Sequence, residues 1–200
     1  MLILCVVCSD ATVNFNEYTH VVGVDKGAYF CAHQHITMEE AIGDFDSITP
    51  AQLEVVKKYS NHVKVLQPMK DESDLEAALN RWHNKAQQID VYGALFGRLD
   101  HQYVNLMLVI KYPNVRLINE QNIVMSISKD IMIESEGFTY FSLFALEDSE
   151  ITIDQAKYTL SKQKLTTKDI FTLSNEFVAN KKAIVHVHHG KLLLIKSKDK

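Results

Sequence analysis

The sequence predicts an α/β fold, in which an amino-terminal domain with a mostly parallel sheet is followed by a small all-β sandwich domain. Up to residue 118, short apolar runs alternate with segments of helical periodicity. After residue 122 only strand patterns continue. Because alternating strands and helices are typical of parallel sheets covered on both faces, we assign residues 1–122 to an α/β/α domain and residues 123–200 to the sandwich.

The first domain is expected to contain six strands and four helices. The predicted strands are residues 2–7, 20–24, 41–42, 63–66, 89–92 and 115–118. The predicted helices are residues 27–34, 50–59, a segment that starts after residue 73 and reaches residue 86, and residues 101–112. The last helix is apolar on nearly every side, which predicts a buried helix, with Tyr103 in the core, that ends at Pro113.

Two helix starts carry capping signals. Thr49 is a predicted N-cap, with Pro50 at the first helical position and Gln52 three residues after the cap. Ser73 and Glu76 repeat the same spacing. Both pairs therefore predict a capping box.

The second domain shows strand patterns and no convincing long amphipathic helix. The predicted strands are residues 123–127, 131–134, 139–145, 150–153, 183–188 and 192–195. A hairpin turn is expected at His189 and Gly190. The pair His186 and His188 resembles a metal cluster, but an exposed strand that runs into this turn is the favoured interpretation.

Composition excludes several classes of partner. The formal net charge is −4, so no broad basic field attracts nucleic acid. No apolar run reaches the roughly 20 residues that span a bilayer. The apolar start lacks the basic region and cleavage site of a signal peptide, so a first strand explains it better. We expect a cytoplasmic protein without a nucleic-acid or membrane partner.

The pair Cys5 and Cys8 forms a C-x-x-C spacing, which is found in zinc and redox sites. No second such pair completes a zinc site, and residues three apart in a strand point to opposite faces. Buried thiols in a reducing compartment are the favoured interpretation.

Six carboxylates follow predicted strands, before or at the start of the next helix. They are Asp25, Asp44, Asp46, Asp71, Asp74 and Asp100. In an open parallel sheet these connections share one edge, where ligands bind. Crowded carboxylates repel each other, and a divalent cation relieves that repulsion. Mg²⁺ prefers such oxygen ligands together with substrate phosphates. Helix capping is the alternative role, and it applies best to Asp71 and Asp74.

Glycines and one arginine point to a phosphate ligand. Four of the seven glycines lie in these edge loops, namely Gly27, Gly43, Gly93 and Gly97. Glycine lets backbone N–H groups approach phosphate oxygens, and the fork of Arg98 suits bidentate phosphate binding. Phosphoryl-type chemistry on a nucleotide is therefore predicted. Phe45, between two of the carboxylates, is expected to pack inward.

These motifs resemble those of the thiamine pyrophosphokinase family. The first domain contains D-x-G-A, GDFDS, K-D-x-[ST]-D and G-A-x-x-G-R-x-D-H at residues 25–28, 43–47, 70–74 and 93–101. The second domain contains KYTL and SNE at residues 157–160 and 174–176. The resemblance covers nearly the whole chain in the order typical of the family. It departs at Phe96, where a glycine is usual, and at Ala156, where a glycine usually precedes the K-Y pair.

The resemblance implies an activity and a set of roles. The family joins a Rossmann-like nucleotide domain to a β-sandwich, works as a homodimer, and transfers pyrophosphate from ATP to the thiamine hydroxyl with Mg²⁺. By resemblance, Asp44, Asp46 and Asp71 would bind the metal. The implied catalytic residues are Asp46, Asp71, Asp74 and Asp100. The implied nucleotide and phosphate ligands are Asp25, Gly27, Gly43, Arg98 and His101. Ser174 and Asn175 would bind thiamine.

Two rival functions stay open at this point. A Mg²⁺-dependent nucleotide hydrolase would use water in place of thiamine. A thiamine or nucleotide binding module without turnover is the other, and Phe96 and Ala156 are the features that favour it.

Overall fold

The computed structural model describes residues 3–199, without the side chain of residue 3. The chain divides after Asn119 into two compact units, the second beginning at Glu120. Residues 120–122, which the sequence analysis assigned to the first domain, therefore belong to the second unit. No helix in the described part of the chain has both the length and the apolar character needed to cross a membrane.

The first unit is built on six parallel strands. They are β1 (Ile3–Val7), β2 (His20–Val24), β3 (Met38–Gly43), β4 (Ser60–Val65), β5 (Gln88–Tyr92) and β6 (Val115–Ile118). Their order in the sheet is β6-β5-β1-β2-β3-β4, and every neighbouring pair is parallel. The chain moves outward from β1 through β4 and then returns to the other side of β1. Such a reversal opens a crevice at the carboxyl ends of the strands.

The register aligns those carboxyl ends at one edge. Val7 lies beside both Gly23 and Tyr92, and Gly43 lies beside Val65. The connections that follow these strands therefore emerge together. This edge positions the candidate site.

Four helices cover the sheet of the first unit. They are α1 (Lys26–His33), α2 (Pro50–Lys58), α3 (Asp74–Trp82) and α4 (Leu99–Lys111), and a short 3₁₀ turn spans Phe15–Glu17. A core cluster on one side includes Cys5, Ala28, Cys31 and Val56. Strands buried on both faces explain why the sequence shows continuous apolar runs here.

The two predicted helix starts are found, but only one capping box is complete. Thr49 Oγ1 accepts from the backbone N–H of Gln52, whose side chain accepts from the backbone N–H of Thr49. Ser73 accepts from the N–H of Glu76. The side chain of Glu76 instead accepts from Lys111 Nζ at 2.7 Å, so the prediction of a second reciprocal box was wrong. An ion pair with a distant helix replaced the local bond.

Helix α4 is not the buried helix that was predicted. Only Leu108 and Val109 are buried, whereas Leu99, Tyr103 and Met107 are 79%, 64% and 48% exposed. These three residues are spaced by four and share one helical face. The apolar composition of α4 therefore reflects a second apolar face that the unit itself does not cover.

Two ion pairs with buried carboxylates connect elements of the first unit, namely β3 with α3 and β5 with β6. Glu40 of β3 accepts two bonds from Arg81, at 3.0 and 2.7 Å, and one from the indole of Trp82 at 2.9 Å. Asp90 of β5 accepts from both ends of the Arg116 guanidinium, at 2.8 and 2.7 Å. Glu40 and Asp90 are only 3% and 2% exposed, so these carboxylates depend on their partners.

The second unit is a sandwich of two antiparallel sheets. Its strands are β7 (Asn122–Ile127), β8 (Ile131–Ile133), β9 (Tyr140–Ala145), β10 (Ser149–Asp154), β11 (Leu160–Leu165), β12 (Asn175–Glu176), β13 (Ala183–His189) and β14 (Leu192–Ser197). One set runs β12-β9-β14-β7 and the other β11-β10-β13-β8. Inward residues of both sets, such as Leu143, Leu194, Ile151 and Val185, form one core. The predicted fold class is confirmed.

Three details of the second unit differ from the sequence prediction. Strand β12, which is only two residues long, was not predicted. Strand β11 was missed because its residues Ser161–Lys164 are polar, as suits an edge strand. The expected hairpin at His189 and Gly190 is wrong, because β13 and β14 pair in different sheets. Gly190 has φ +92°, and a Cβ there would lie 2.1 Å from Ser149 Oγ, so this crossover requires glycine.

Candidate functional site

Three carboxylates meet at the edge of the first unit. Asp25 directly follows β2, and Asp44 and Asp46 follow β3. One carboxylate oxygen from each lies within 4.8 Å of the other two. Asp25, which the resemblance assigned to the nucleotide, therefore belongs to the same carboxylate group as two of the predicted metal ligands.

The backbone around this group is strained. Asp25 has φ +47° with ψ −122°, and Phe45 has φ +56°, both in regions that side chains disfavour. Phe45 is only 5% exposed, which confirms that it packs inward while Asp44 and Asp46 flank it. Such strain persists only where the surroundings enforce it, and it concentrates at functional sites.

Two glycines that were predicted to bind phosphate allow close backbone packing beside Asp25. A Cβ at Gly43 would lie 3.0 Å from the Cα of Asp25. A Cβ at Gly27 would lie 2.0 Å from the carbonyl oxygen of Val7, so Gly27 lets α1 pack directly on the end of β1. Both glycines are buried. They fix where the Asp25 connection runs.

Asp25 has one satisfied and one unsatisfied oxygen. Oδ2 accepts from Ser47 Oγ at 2.8 Å, whereas Oδ1 is buried and has no hydrogen-bond partner among the described residues. Burial raises the pKa of Asp25, hydrogen bonds from the Ser47 side chain and the Lys26 backbone oppose this rise, and the nearby Asp74 and Asp44 carboxylates add to it. A bound cation would satisfy the orphaned oxygen and offset the repulsion. Sequence reasoning gave Ser47 no role, although it is part of the GDFDS motif.

Lys70 links this group to the start of α3. Its ammonium lies 3.0 Å from Asp74 Oδ1 and 3.8 Å from Asp44 Oδ2. Burial alone would lower the pKa of Lys70, but Asp74 and Asp44 outweigh burial and raise it. Asp74 is the first residue of α3, just after the Ser73 cap. Sequence reasoning listed Lys70 only as part of a motif, because a lysine's partner cannot be read from spacing.

Asp71 and Asp100 lie apart from the group of three. Asp71 is exposed in the connection between β4 and α3. Asp100, in the first turn of α4, accepts from Arg98 Nε at 3.1 Å and from Arg98 Nη2 at 2.5 Å. The hydrogen bond from Arg98 lowers the pKa of Asp100. The Arg98 fork, which was predicted to bind phosphate, thus engages a carboxylate and is 74% exposed.

A cavity of 340 Å³ opens at the same edge. Its walls include four predicted site residues, namely Asp25, Asp74, Arg98 and His101. Asn105 Nδ2 donates to the Ala94 carbonyl at 2.8 Å and so fixes the loop before α4. Phe96, 54% exposed, also lines the cavity. The volume of the cavity falls within the range of small-molecule sites.

The donor set at this edge fits Mg²⁺. Oxygens bound to one octahedral Mg²⁺ lie about 3–4 Å apart, so three oxygens that lie within 4.8 Å of one another need only small side-chain movements to bind one ion. The ligands are hard carboxylate oxygens, and one of them is buried without a partner. Asp25, Asp44 and Asp46 are therefore the described residues best placed to hold a cation.

The second unit has a cavity of 350 Å³ that contains both predicted thiamine residues. Asn175 is 6% exposed, and its amide binds only backbone groups: Oδ1 accepts from Tyr158 and Glu176, and Nδ2 donates to the Tyr158 carbonyl. Ser174 is exposed, has φ +56°, and donates its backbone N–H to Ser142. Asn175 therefore shapes the wall, and Ser174 is an exposed part of it.

The histidine pair of β13 has local partners. His186 Nδ1 lies 2.7 Å from Asp130 Oδ2, and His188 Nε2 lies 2.9 Å from Thr152 Oγ1. The two rings stack with their centroids 6.4 Å apart. Within residues 3–199, the carboxylate group above is the one close cluster of metal-ligand side chains, and it includes no histidine.

The cysteines are free thiols. Cys5 and Cys31 are buried and Cys8 is half-buried, in the wall of the first cavity. Burial raises the pKa of Cys8 and of Cys31 to about 12, so both are protonated at neutral pH.

Comparison with known proteins agrees with the motifs. The family model for the catalytic domain of thiamin pyrophosphokinase matches residues 13–124, and the model for its vitamin B1 binding domain matches residues 128–192. The chain belongs to the thiamin pyrophosphokinase family. The thiamine pyrophosphokinase of Bacillus subtilis is 32% identical over 203 residues, which cover 95% of this chain and 92% of that protein.

Solved structures of family members have the same fold. A thiamin pyrophosphokinase family protein from Enterococcus faecalis superposes with a TM-score of 0.87 at 25% identity and covers all of both chains. The structure of the thiamine pyrophosphokinase of Bacillus subtilis also superposes with a TM-score of 0.87, at 28% identity. The match covers 99% of this chain and 100% of that one. The family predicted from the motifs is confirmed.

Proposed function

We propose that this protein transfers pyrophosphate from ATP to the hydroxyl of thiamine, giving thiamine diphosphate and AMP, and that the reaction needs Mg²⁺. The observation that carries the proposal is the carboxylate group of Asp25, Asp44 and Asp46 beside a cavity of 340 Å³ that Asp25 also lines, in a chain of this family. The orphaned oxygen of Asp25 supports a cation there.

Asp25, Asp44 and Asp46 are the proposed cation ligands, and Asp71 is proposed as a further ligand from the adjoining connection. When bound, Mg²⁺ supplies Lewis-acid neutralisation of the phosphate oxygens as AMP leaves. The protein's own contribution is to hold these carboxylates together against their mutual repulsion. The strained backbone at Asp25 and the glycine behind it support that role.

Arg98 and His101 are proposed to bind the polyphosphate, and Asp74 to accept the hydroxyl proton. Both side chains line the first cavity. An incoming phosphate would compete with Asp100 for the exposed Arg98 fork. Asp74 lines the cavity, whereas Asp100 is not among the described residues that line it and is paired with Arg98. Because a primary alcohol is a poor nucleophile, positioning is expected to supply most of the rate.

Thiamine is proposed to bind in the cavity of the second unit. Tyr158 and Phe171, 57% and 55% exposed, offer aromatic faces to a cationic heteroaromatic ligand. The hydroxyl of Ser174 supplies a polar contact. Asn175 holds the wall through its three backbone bonds.

Substitutions of Ser174 and Asn175 separate contact from positioning. Asn175→Ala leaves buried backbone groups without partners, so we expect a loss of about 1–3 kcal/mol of unfolding free energy together with a raised KM for thiamine. Ser174→Ala is expected to raise the KM for thiamine about fivefold, the value of one modest hydrogen bond, with little change in stability. Urea titrations and thiamine kinetics measure both effects. A Ser174→Ala variant with an unchanged KM would contradict the proposed contact.

A homodimer is proposed as the working state. The α4 face with Leu99, Tyr103 and Met107 supports this, because exposed apolar patches of this kind mark protein interfaces. A cytoplasmic location is proposed from the free thiols of Cys5 and Cys31, which suit a reducing compartment.

The proposal is tested by AMP release from Mg²⁺ and ATP with and without thiamine. The account predicts AMP only when thiamine is present. AMP or ADP formed equally well without thiamine would identify a nucleotide hydrolase. Saturable thiamine binding by calorimetry without AMP would identify a binding module.

A further inference from the structure

Lys70 is a basic side chain that lies between Asp44 of the carboxylate group and Asp74 at the start of α3. Its Nζ pairs with Asp74 Oδ1 at 3.0 Å and with Asp44 Oδ2 at 3.8 Å, and it also donates to the Gln67 carbonyl at 3.4 Å. The Lys70 side chain is only 17% exposed, and those of Asp44 and Asp74 are 13% and 25% exposed. This ammonium has three oxygen neighbours, and it joins the connection after β3 to the start of α3.

Lys70 neutralises part of the negative charge of the surrounding carboxylates, and it would compete with a divalent cation for them. Asp25, Asp44, Asp46 and Asp74 carry four formal negative charges, which one ammonium offsets in part. A divalent cation bound to Asp44 would lie within a few ångströms of that ammonium. At such distances and partial burial, two positive charges repel strongly. We therefore expect Lys70 to hold Asp44 close to Asp74 and to weaken the binding of a cation to Asp44.

Lys70 would attract a polyphosphate, although it repels a bound cation. The same ammonium attracts phosphate oxygens, and a lysine stem is long and flexible enough to turn from a carboxylate to a phosphate. Asp74, the partner of Lys70, lines the cavity proposed for ATP. A ligand that brings phosphate oxygens to this wall gives the ammonium a new partner when the cation takes Asp44.

We propose that Lys70 is a positioning residue that couples the two ligands: it disfavours cation binding without nucleotide and favours nucleotide binding with the cation. The proposal rests on the proposed function for the identity of both ligands. Coupling of this kind is reciprocal, because each ligand changes the other's affinity by the same factor. Before the nucleotide binds, the Lys70 ammonium would hold Asp44 and Asp74 close together.

Neutralising Lys70 tests the proposal through binding. For Lys70→Met we expect Mn²⁺, titrated alone and followed by electron paramagnetic resonance, to bind about tenfold more tightly. The α,β-methylene analogue of ATP, titrated with Mg²⁺ by calorimetry, is expected to bind about tenfold more weakly. Lys70→Arg keeps the charge and should restore most of both affinities. Lys57→Met, which removes an exposed ammonium on α2, should change neither.

Shifts in opposite directions are the signature, because a merely damaged site would lose both affinities. Weaker binding of both ligands, or unchanged binding of both, in Lys70→Met would overturn the proposal. The binding readouts do not require turnover. If the unsubstituted protein binds both ligands but forms no thiamine diphosphate, the proposed reaction fails while the coupling is still decided by these titrations.

Discussion

Asp46→Asn is expected to lower kcat at saturating Mg²⁺ by about 100-fold or more, with the fold intact. Asparagine preserves the shape of the side chain but removes the charge that a hard cation requires. Lewis-acid stabilisation is worth several kcal/mol in the transition state, and each 1.4 kcal/mol corresponds to about tenfold in rate. Asp46 is exposed, so its substitution leaves the core unchanged. Thiamine-dependent AMP release over a Mg²⁺ series measures the effect.

The matched control for this variant is Glu54→Gln, which removes an exposed carboxylate that pairs with Lys57 on α2. Exposed ion pairs of this kind contribute little to the free energy of unfolding, so the melting temperature should stay near that of the parent. Turnover should also be unchanged, because Glu54 lies outside the proposed site. Near-parental turnover of Asp46→Asn in saturating Mg²⁺ would show that the metal assignment is wrong.

Gly27→Ala is expected to reduce the free energy of unfolding by about 3 kcal/mol or more. The new Cβ would lie 2.0 Å from the carbonyl oxygen of Val7 and 2.8 Å from the carbonyl carbon of Cys8, and backbone atoms cannot move aside as a flexible side chain can. Helix α1 would have to move away from β1, and Asp25 would move with it. Urea denaturation followed by circular dichroism measures the loss.

Gly97→Ala is the control for this second prediction. A Cβ there meets nothing within 4 Å, and only its φ of +80° opposes a side chain. We expect a cost of about 1 kcal/mol. If Gly27→Ala were as stable as the parent but bound ATP poorly, the phosphate-binding role predicted from the motif would hold instead of the packing role described above.

Local chemistry explains what the sequence predicted well. Continuous apolar runs marked the buried strands, and the Thr49–Gln52 box marked the start of α2 because all its partners lie within one turn. The position of Asp25, Asp44 and Asp46 after parallel strands was enough to predict that they meet at one edge. Each of these features depends on neighbours in sequence or on the rules of one sheet.

Features that depend on distant partners were not predictable. The link from Lys70 to Asp44 and the bond from Glu76 to Lys111 join separate segments, and no periodicity encodes them. The apolar residues of α4 gave no indication of which ones the unit itself covers. Strand β11 is polar, so its pairing with β10 depends on backbone bonds that leave no hydrophobic pattern.

The central claim is pyrophosphate transfer from ATP to thiamine, and the direct test is mass spectrometry of the products from ATP, Mg²⁺ and thiamine. With ATP labelled in its β and γ phosphates, the account predicts thiamine diphosphate that carries both labelled phosphates, together with an equal amount of unlabelled AMP. Thiamine monophosphate with ADP, or labelled pyrophosphate released free while thiamine stays unchanged, would contradict it.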